Sequence, residues 1–329
     1  TVNATNIAQQ IGLGNRINMI MQSAFFKLAN IIPEDEATQY LKNSISKAYG
    51  KKGEKVVNMN YEAVEQGKNA LVKINIPSSW ENATDEVKSV DEPEFITNIL
   101  RPINAQEGDN LPVSSFVKNP DGSVDAGTSK LDKRDSSDMA PCYNSENCLG
   151  CNMCSLVCPH GVIRPFLLDE KEVIDAPEAV SRNLIEANIK DKDYKFTVGV
   201  SLPDCTGCGL CADVCPGKKG AKAIIMKAKE ELEKDKKIEE YKYLFNEVSE
   251  KKNVMNVATV KGSQFVKPKF EFPGAFAGCG ETAYLKLVTQ MFGDRMVVAN
   301  ATGCSSIYGA SSPSMPYSIP WANSLFEDN

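Results

Sequence analysis

The chain has 329 residues, 42% of them apolar and 24% charged, with 43 acids against 37 bases and a net charge of −6. This is the composition of an ordinary globular protein long enough for two to four structural units, and its mild acidity offers no basic footprint for nucleic acid. No stretch approaches the ~20 apolar residues of a membrane span, and the opening Thr1-Val-Asn-Ala-Thr5 has no charged-then-apolar targeting pattern.

A start Met is absent and no closing element follows Leu325-Phe-Glu-Asp-Asn329, so the expectation is an internal slice of a longer polypeptide. In residues 5–32 a helical rhythm runs through Ile17, Ile20, Met21, Ala24, Phe25 and Leu28. Gly12 and Gly14 mark a turn before it. A G-x-G pair alone is weak evidence for phosphate binding. Pro33 with Glu34, Asp35 and Glu36 starts a second helix, proline in the first turn and acids against the positive dipole end. Leu41, Ile45, Ala48 and Tyr49 form its apolar stripe, and Gly50 ends it. A third amphipathic stretch runs from Val56 to Leu71. Helical packing suffices to explain these patterns. Residues 77–94 read as a polar, proline-punctuated linker. Residues 95–134 read as short strand-like pieces between turns such as Asn119-Pro-Asp-Gly122, a small β-rich module.

The strongest signal comes next. Cys148-Leu-Gly-Cys151-Asn-Met-Cys154-Ser-Leu-Val-Cys158-Pro159 is answered by Cys205-Thr-Gly-Cys208-Gly-Leu-Cys211-Ala-Asp-Val-Cys215-Pro216. Both read C-x-x-C-x-x-C-x-x-x-C-P, the iron–sulfur run of bacterial-type ferredoxins, in which the fourth cysteine ligates the other cluster. On that rule Cys148, Cys151, Cys154 and Cys215 hold one 4Fe–4S cluster, and Cys205, Cys208, Cys211 and Cys158 the second. Zinc closes one tetrahedron with two cysteine pairs and has no need of this pattern. Disulfides fit poorly with C-x-x-C repeats in a chain without a secretory signal. Eleven cysteines, eight of them reduced ligands, point to a reducing interior and an anaerobic host.

Between Cys158 and Cys205 lie 46 residues, with a helix expected over 176–189, so this is an elaborated ferredoxin-like unit. The mixed charges from Lys227 to Lys237 read as a solvated helix face, leading into Ile238, Tyr241, Leu244, Phe245 and Val248. A helix should begin near Thr282 with Tyr284, Leu285, Val288 and Met291 as its apolar side. A buried strand follows at Met296-Val-Val-Ala299. These elements open an α/β domain with Glu281 and Cys304 near the strand ends, where ligands sit. His160, the single histidine, reads as a packing or surface residue ahead of a cluster-tuning one. Cys142 reads as a free thiol, and Trp80 and Trp321 as packing residues.

Several longer stretches resemble pyruvate:ferredoxin (flavodoxin) oxidoreductase, also called pyruvate synthase. They are Ile11-Gly-Leu-Gly-Asn-Arg-Ile-Asn-Met-Ile-Met-Gln22, Leu100-Arg-Pro-Ile-Asn-Ala-Gln106, Gly127-Thr-Ser-Lys-Leu-Asp-Lys-Arg134, both cysteine runs, Ala277-Gly-Cys-Gly-Glu-Thr282, Ala299-Asn-Ala-Thr-Gly-Cys-Ser-Ser-Ile-Tyr308, Ser314-Met-Pro-Tyr317 and Trp321-Ala-Asn-Ser-Leu-Phe-Glu-Asp-Asn329. The resemblance implies an α+β multidomain fragment. Residues 1–80 would be the C-terminal part of a gamma-type α/β domain that contacts coenzyme A, with Asn18 and Asn60 as contacts. Residues 81–134 would be a small EKR-type module, 135–246 a ferredoxin-like domain with two 4Fe–4S clusters, and 247–329 the start of a thiamine diphosphate domain.

In the family, thiamine diphosphate with Mg supplies the carbanion chemistry that decarboxylates pyruvate. Coenzyme A takes the acetyl group, and single electrons pass through three 4Fe–4S clusters to ferredoxin or flavodoxin. Cys279 and Cys304 match two ligands of the third cluster, and Glu281 and Cys304 match thiamine contacts. The resemblance further implies a homodimer in the full-length form and a cytoplasmic location, or an anaerobic organelle such as a hydrogenosome. The slice alone should be inactive. The family pattern Gly-Ala-Cys-Ala-Gly-Cys-Gly-Glu departs here to Gly274-Ala-Phe276-Ala-Gly-Cys279-Gly-Glu281. Phenylalanine cannot bind iron, so the third cluster is left short of a ligand. A loop shorter than the family's also follows Tyr317. The competing readings are a stand-alone two-cluster carrier and a degenerate, inactive copy. A generic ferredoxin adaptor has no need of the flanking Gly127–Arg134 and Ala277–Thr282 segments.

Overall fold

The side chain of Asn3 accepts from the Asn6 backbone amide at 3.0 Å and starts helix α1 (Ala4–Ile11), which Gly12 ends in the left-handed region. The computed structural model describes residues 1–81, 83, 92–189, 192–251, 253–309 and 313–323, and it divides into two units, Thr1–Ser89 and Val90–Asn329.

The first unit continues through α2 (Asn18–Ala29), α3 (Glu34–Tyr49) and α4 (Glu54–Asn69). Leu41 and Ile45 of α3 bury against Val64 of α4, while Ala48 stays exposed. The α2–α4 contact is narrow. Ser23 Oγ donates to the Val64 carbonyl at 2.5 Å, and a Cβ at Gly67 would stand 2.4 Å from the Ile20 carbonyl oxygen. Only Ile20 and Ala24 of the expected α2 stripe are buried, whereas Met21, Phe25 and Leu28 are 46%, 55% and 71% exposed. A seam that admits a glycine backbone is too thin to cover a full apolar stripe. Trp80 is also exposed, contrary to its expected packing role.

The second unit corrects the β-rich expectation for 95–134: residues 92–134 hold no strand. A π-helical turn, Ile96–Leu100, runs into α5 (Arg101–Asn104), and single 3-10 turns follow. Phe95, Ile96, Ile99 and Leu100 form the buried apolar cluster of this segment, and their spacing is helical, not alternating. The Gly127–Arg134 segment docks on residues 313–317. Gly127 N donates to the Tyr317 carbonyl at 2.7 Å, Thr128 Oγ1 to Pro313 at 2.5 Å and Ser129 Oγ to Glu271 at 2.8 Å. Two stretches that carried the resemblance without evident chemistry are thus two sides of one contact.

The centre of this unit has internal two-fold logic. Strand β1 (Met139–Tyr143) leads into the first cysteine run with its short helix α6 (Met153–Leu156), and β2 (Ile163–Leu168) leaves it. Then come α7 (Glu170–Ile174), α8 (Glu178–Ser181), β3 (Ile185–Glu186) and β4 (Lys195–Val200). The second run follows with α9 (Leu210–Asp213), and β5 (Ile224–Ala228) leaves it. β1 pairs antiparallel with β5, Tyr143 opposite Ile224, and β2 with β4, Ile163 opposite Val200. The helix expected over 176–189 is instead the short α8, because Pro177 sets its start and Ile185 pairs with Phe196 in the sheet.

The charged stretch forms α10 (Lys229–Lys234) and α11 (Lys237–Asn246). It is not wholly solvated as expected. Lys229 and Lys237 are buried and held by Asp135 and Glu240 at 2.6 and 2.5 Å, so pairing is what lets them go inside.

After α12 (Val260–Ser263), helix α13 (Thr282–Phe292) follows its expected orientation only in part: Leu285 packs on the cluster of Phe270 and Tyr317, but the fully buried face is polar. Thr282, Lys286, Thr289 and Gln290 form the buried face, while Tyr284 is 70% exposed and Val288 39%. Most of the polar face is hydrogen-bonded, although the buried Thr282 hydroxyl has no nitrogen or oxygen partner among the described residues. Gln290 Nε2 donates to the Val266 carbonyl at 2.8 Å and its Oε1 accepts from Gln264 at 3.1 Å. Gln264 in turn accepts from Ser155 Oγ at 2.9 Å. A hydrogen-bonded polar network can displace an apolar stripe when its members have partners.

The last elements among the described residues are β6 (Val298–Asn300), α14 (Cys304–Gly309) and β7 (Trp321–Asn323), the two strands parallel. The strand expected to be buried at 296–299 is not, and Val297 is 77% exposed. Trp321 packs beside Phe270 and Tyr317, as expected. Among the described residues no helix is long and apolar enough to cross a membrane.

Candidate metal centres

Because β1 pairs with β5 and β2 with β4, the end of each cysteine run is carried to the start of the other. One cavity is lined by Cys148, Cys151, Cys154 and Cys215, and a second by Cys158, Cys205, Cys208 and Cys211. Each run lends its fourth cysteine across. Gly150 and Asn152 in the first run, and Gly207 and Gly209 in the second, take left-handed conformations at matching positions (φ 62°, 63°, 66° and 80°). Those turns aim backbone amides at sulfur, Gly150 N lying 3.3 Å from Cys148 Sγ and Gly207 N 3.4 Å from Cys205 Sγ, and just before β5 Ala223 N lies 3.3 Å from Cys215 Sγ. Such donors favour thiolate over thiol.

The surroundings oppose free thiolates. Burial, then the neighbouring Cys148 and Cys151, pushes Cys154 up to about 12. Burial raises Cys205 to about 11, and burial followed by Cys158 carries Cys211 above the usual thiol range. A positive centre between the sulfurs would offset that burial for Cys154, Cys205 and Cys211. Tyr143 lines the first cavity, and its hydroxyl is buried with no nitrogen or oxygen partner among the described residues. Its pKa is raised by burial and next by Cys148, so it faces sulfur. No three His, Cys, Asp or Glu side chains among the described residues close on a single-ion site. Thiolates on one tetrahedral zinc would stand roughly 3.8 Å apart, from bonds of ~2.3 Å. The donor set therefore fits two 4Fe–4S clusters.

The other expected residues are placed as follows. All eleven cysteines are free. Cys142, half-buried on β1, packs against the core and lines neither cavity; burial raises its thiol. His160 is buried. Its Nε2 lies 2.8 Å from the Ala275 carbonyl, and its Nδ1 lies 3.5 Å from Thr206 Oγ1. It ties the second cavity to the Gly274–Glu281 loop. In that loop a Cβ at Gly278 would lie 3.7 Å from Cys208 Cβ.

Cys279 and Cys304 line neither of those two cavities. Cys279 is half-buried, and the amides of Glu281 and Thr282 outweigh its burial and hold its thiol below the usual range. Cys304 is exposed at the first residue of α14. Exposed Glu281 stands beside the hydroxyls of Tyr308, on α14, and Tyr317. Burial first, and then this carboxylate, raises both, Tyr317 to about 12. Phe276, in the place of the family's cysteine, is 91% exposed. In the first unit Asn18 is exposed at the start of α2. Asn60 is buried on α4, its amide donating to the Val56 carbonyl at 2.8 Å.

Two residues at the centres had no sequence signal. Tyr143 reads as one strand aromatic among many. Lys286 reads as the solvated side of an amphipathic helix, yet it is 2% exposed, and burial lowers it to about 8 against the pull of Cys158 and Cys154.

Comparison with known proteins matches residues 1–70 to a family described as pyruvate ferredoxin/flavodoxin oxidoreductase, residues 147–219 to a 4Fe-4S dicluster domain, and residues 81–136 to EKR, a domain of unknown function. The whole chain is 53% identical to a pyruvate:ferredoxin oxidoreductase of Moorella thermoacetica and 51% identical to a pyruvate-flavodoxin oxidoreductase of Enterobacter agglomerans, spanning 28% of each relative. It is also 41% identical to a pyruvate dehydrogenase (NADP+) of Cryptosporidium parvum, spanning 18% of it.

Proposed function

We propose, for a chain homologous from end to end to a portion of the pyruvate:ferredoxin and pyruvate-flavodoxin oxidoreductases, that it is the electron-carrying segment of an enzyme that oxidatively decarboxylates pyruvate to acetyl-CoA. Its acceptor would be ferredoxin or flavodoxin. The observation that carries this reading is the interlocked pair of cavities, each lined by four cysteines. When bound, 4Fe–4S clusters supply one-electron carriage.

Two contacts support a direction of electron flow. The quartet with Cys208 abuts the Gly278 loop and, through His160, Ala275, so it faces the donor side, where Cys279, Glu281 and Cys304 would serve thiamine diphosphate with Mg and a third cluster. The quartet with Cys148 sits beside Leu149, 54% exposed, and faces the acceptor. Asn18 is the more open of the two residues proposed for coenzyme A, since Asn60 is engaged within its own helix. The domain limits proposed are 1–80, 81–134, 135–246 and 247–329, with a dimeric, cytoplasmic or organellar parent.

The test is pyruvate- and coenzyme A-dependent reduction of ferredoxin by the anaerobically purified full-length enzyme that contains this segment. Reduction with both substrates supports the proposal, and none with fully loaded protein overturns it. Phe276 sets a further expectation. Phe276→Cys in the full-length enzyme restores a thiol at the position the family fills with cysteine, beside Cys279, Cys304 and a fourth ligand expected beyond residue 329. Iron should rise by about four atoms per chain, one more 4Fe–4S cluster, as read by colorimetric iron and sulfide analysis. Unchanged iron would show that residue 276 is not what withholds the third cluster.

A further inference from the structure

Charged groups buried in the second unit are mostly neutralised by a neighbour. Arg164 is paired with Glu271, Lys229 with Asp135, and Lys237 with Glu240. Lys286 is different. It is 2% exposed, and its Nζ donates to the backbone carbonyls of Ser155 and Leu156, the latter at 3.3 Å, with no carboxylate partner among the described residues. Those carbonyls lie between Cys154, which lines one cavity, and Cys158, which lines the other. The cation therefore stands at the seam of both centres. A buried charge without a counter-ion is strongly disfavoured, so its compensation has to come from the cysteine-bound centres.

We infer that the Lys286 ammonium sets the reduction potentials of the two iron–sulfur centres, holding both at less negative values than the cavities alone would give. This rests on the proposed ligation of two clusters. Each one-electron reduction adds a negative charge beside Lys286 with no bond made or broken, and a fixed cation in a low-dielectric interior stabilises the reduced form. Lys286 is a positioning charge, not a catalytic residue. Because it belongs to α13, the helix that follows the Cys279–Glu281 loop, the potentials depend on a segment outside the ferredoxin-like unit.

The test is an EPR-monitored redox titration of anaerobically purified holoprotein carrying Lys286→Gln, Lys286→Met or Lys286→Arg, with iron and sulfide counted first. In the neutral variants both midpoints should move to more negative values. At a fixed potential the reduced-to-oxidised ratio of each centre should fall at least tenfold, about 59 mV for one electron. Lys286→Arg should keep the midpoints. Loaded neutral variants with unshifted midpoints overturn the inference, and so does failure of both to load iron, which would make Lys286 an assembly residue. Absence of iron from the unsubstituted protein would instead overturn the ligation it rests on.

Discussion

Replacing Cys215 with alanine removes the iron held through Cys148, Cys151 and Cys154, and leaves intact the iron of the run in which Cys215 lies. The reason is topological. Pairing of β1 with β5 and β2 with β4 carries the last cysteine of each run to the other run's cavity, so Cys215 lines the first cavity and Cys158 the second. Iron should fall from about eight to about four atoms per chain in either single variant. The surviving EPR signal should differ between Cys215→Ala and Cys158→Ala. It should be lost entirely in the double variant, although each run then keeps its three closely spaced cysteines. Identical surviving signals, or loss that follows sequence position, would contradict the crossing.

The second large effect is expected at Gly217. This glycine follows Cys215-Pro216, lines the first cavity and sits at φ 60°. A Cβ there would meet the Ala221 carbonyl oxygen at 1.8 Å, a backbone atom that moves only with the turn. Gly217→Ala combines that clash with a left-handed penalty of about 1–2 kcal/mol. The loss should reach at least ~2 kcal/mol, roughly 4–8 °C in Tm for a unit of this size, with the first cluster lost preferentially. Gly220→Ala is the control. Gly220 is also left-handed (φ 84°), but its Cβ would meet nothing within 4 Å, so only the conformational penalty applies. Equal Tm shifts in the two variants would remove the steric part of this explanation.

The two cysteine quartets were legible in the sequence because ligand spacing is a geometric demand that few other folds make, and the crossing rule needs only the two runs. The Gly127–Arg134 and Ser314–Tyr317 stretches were visible as motifs, but their mutual contact, such as Gly127 N to the Tyr317 carbonyl, joins residues too far apart in sequence for pattern to reveal. Helix α13 shows a different reason for failure. Periodicity locates a helix but takes the apolar side as the inner one. Here the Gln264–Gln290–Ser155 network and the carbonyls of α6 give Gln290 and Lys286 partners, so Lys286 goes inside and Tyr284 goes out. In 95–134, separate apolar clusters between prolines read as strands, although Ile96, Ile99 and Leu100 already had helical spacing. The charged α10–α11 stretch misled because Lys229 and Lys237 found Asp135 and Glu240, partners that a run of charges does not announce.

Metal and acid-labile sulfide analysis of the anaerobically purified protein, with EPR after reduction, tests the two-centre reading most directly. The expected result is about eight iron and eight sulfide per chain from the two quartets, with two interacting reduced 4Fe–4S signals and no zinc. Zinc in place of iron, or a single non-interacting centre, would contradict it.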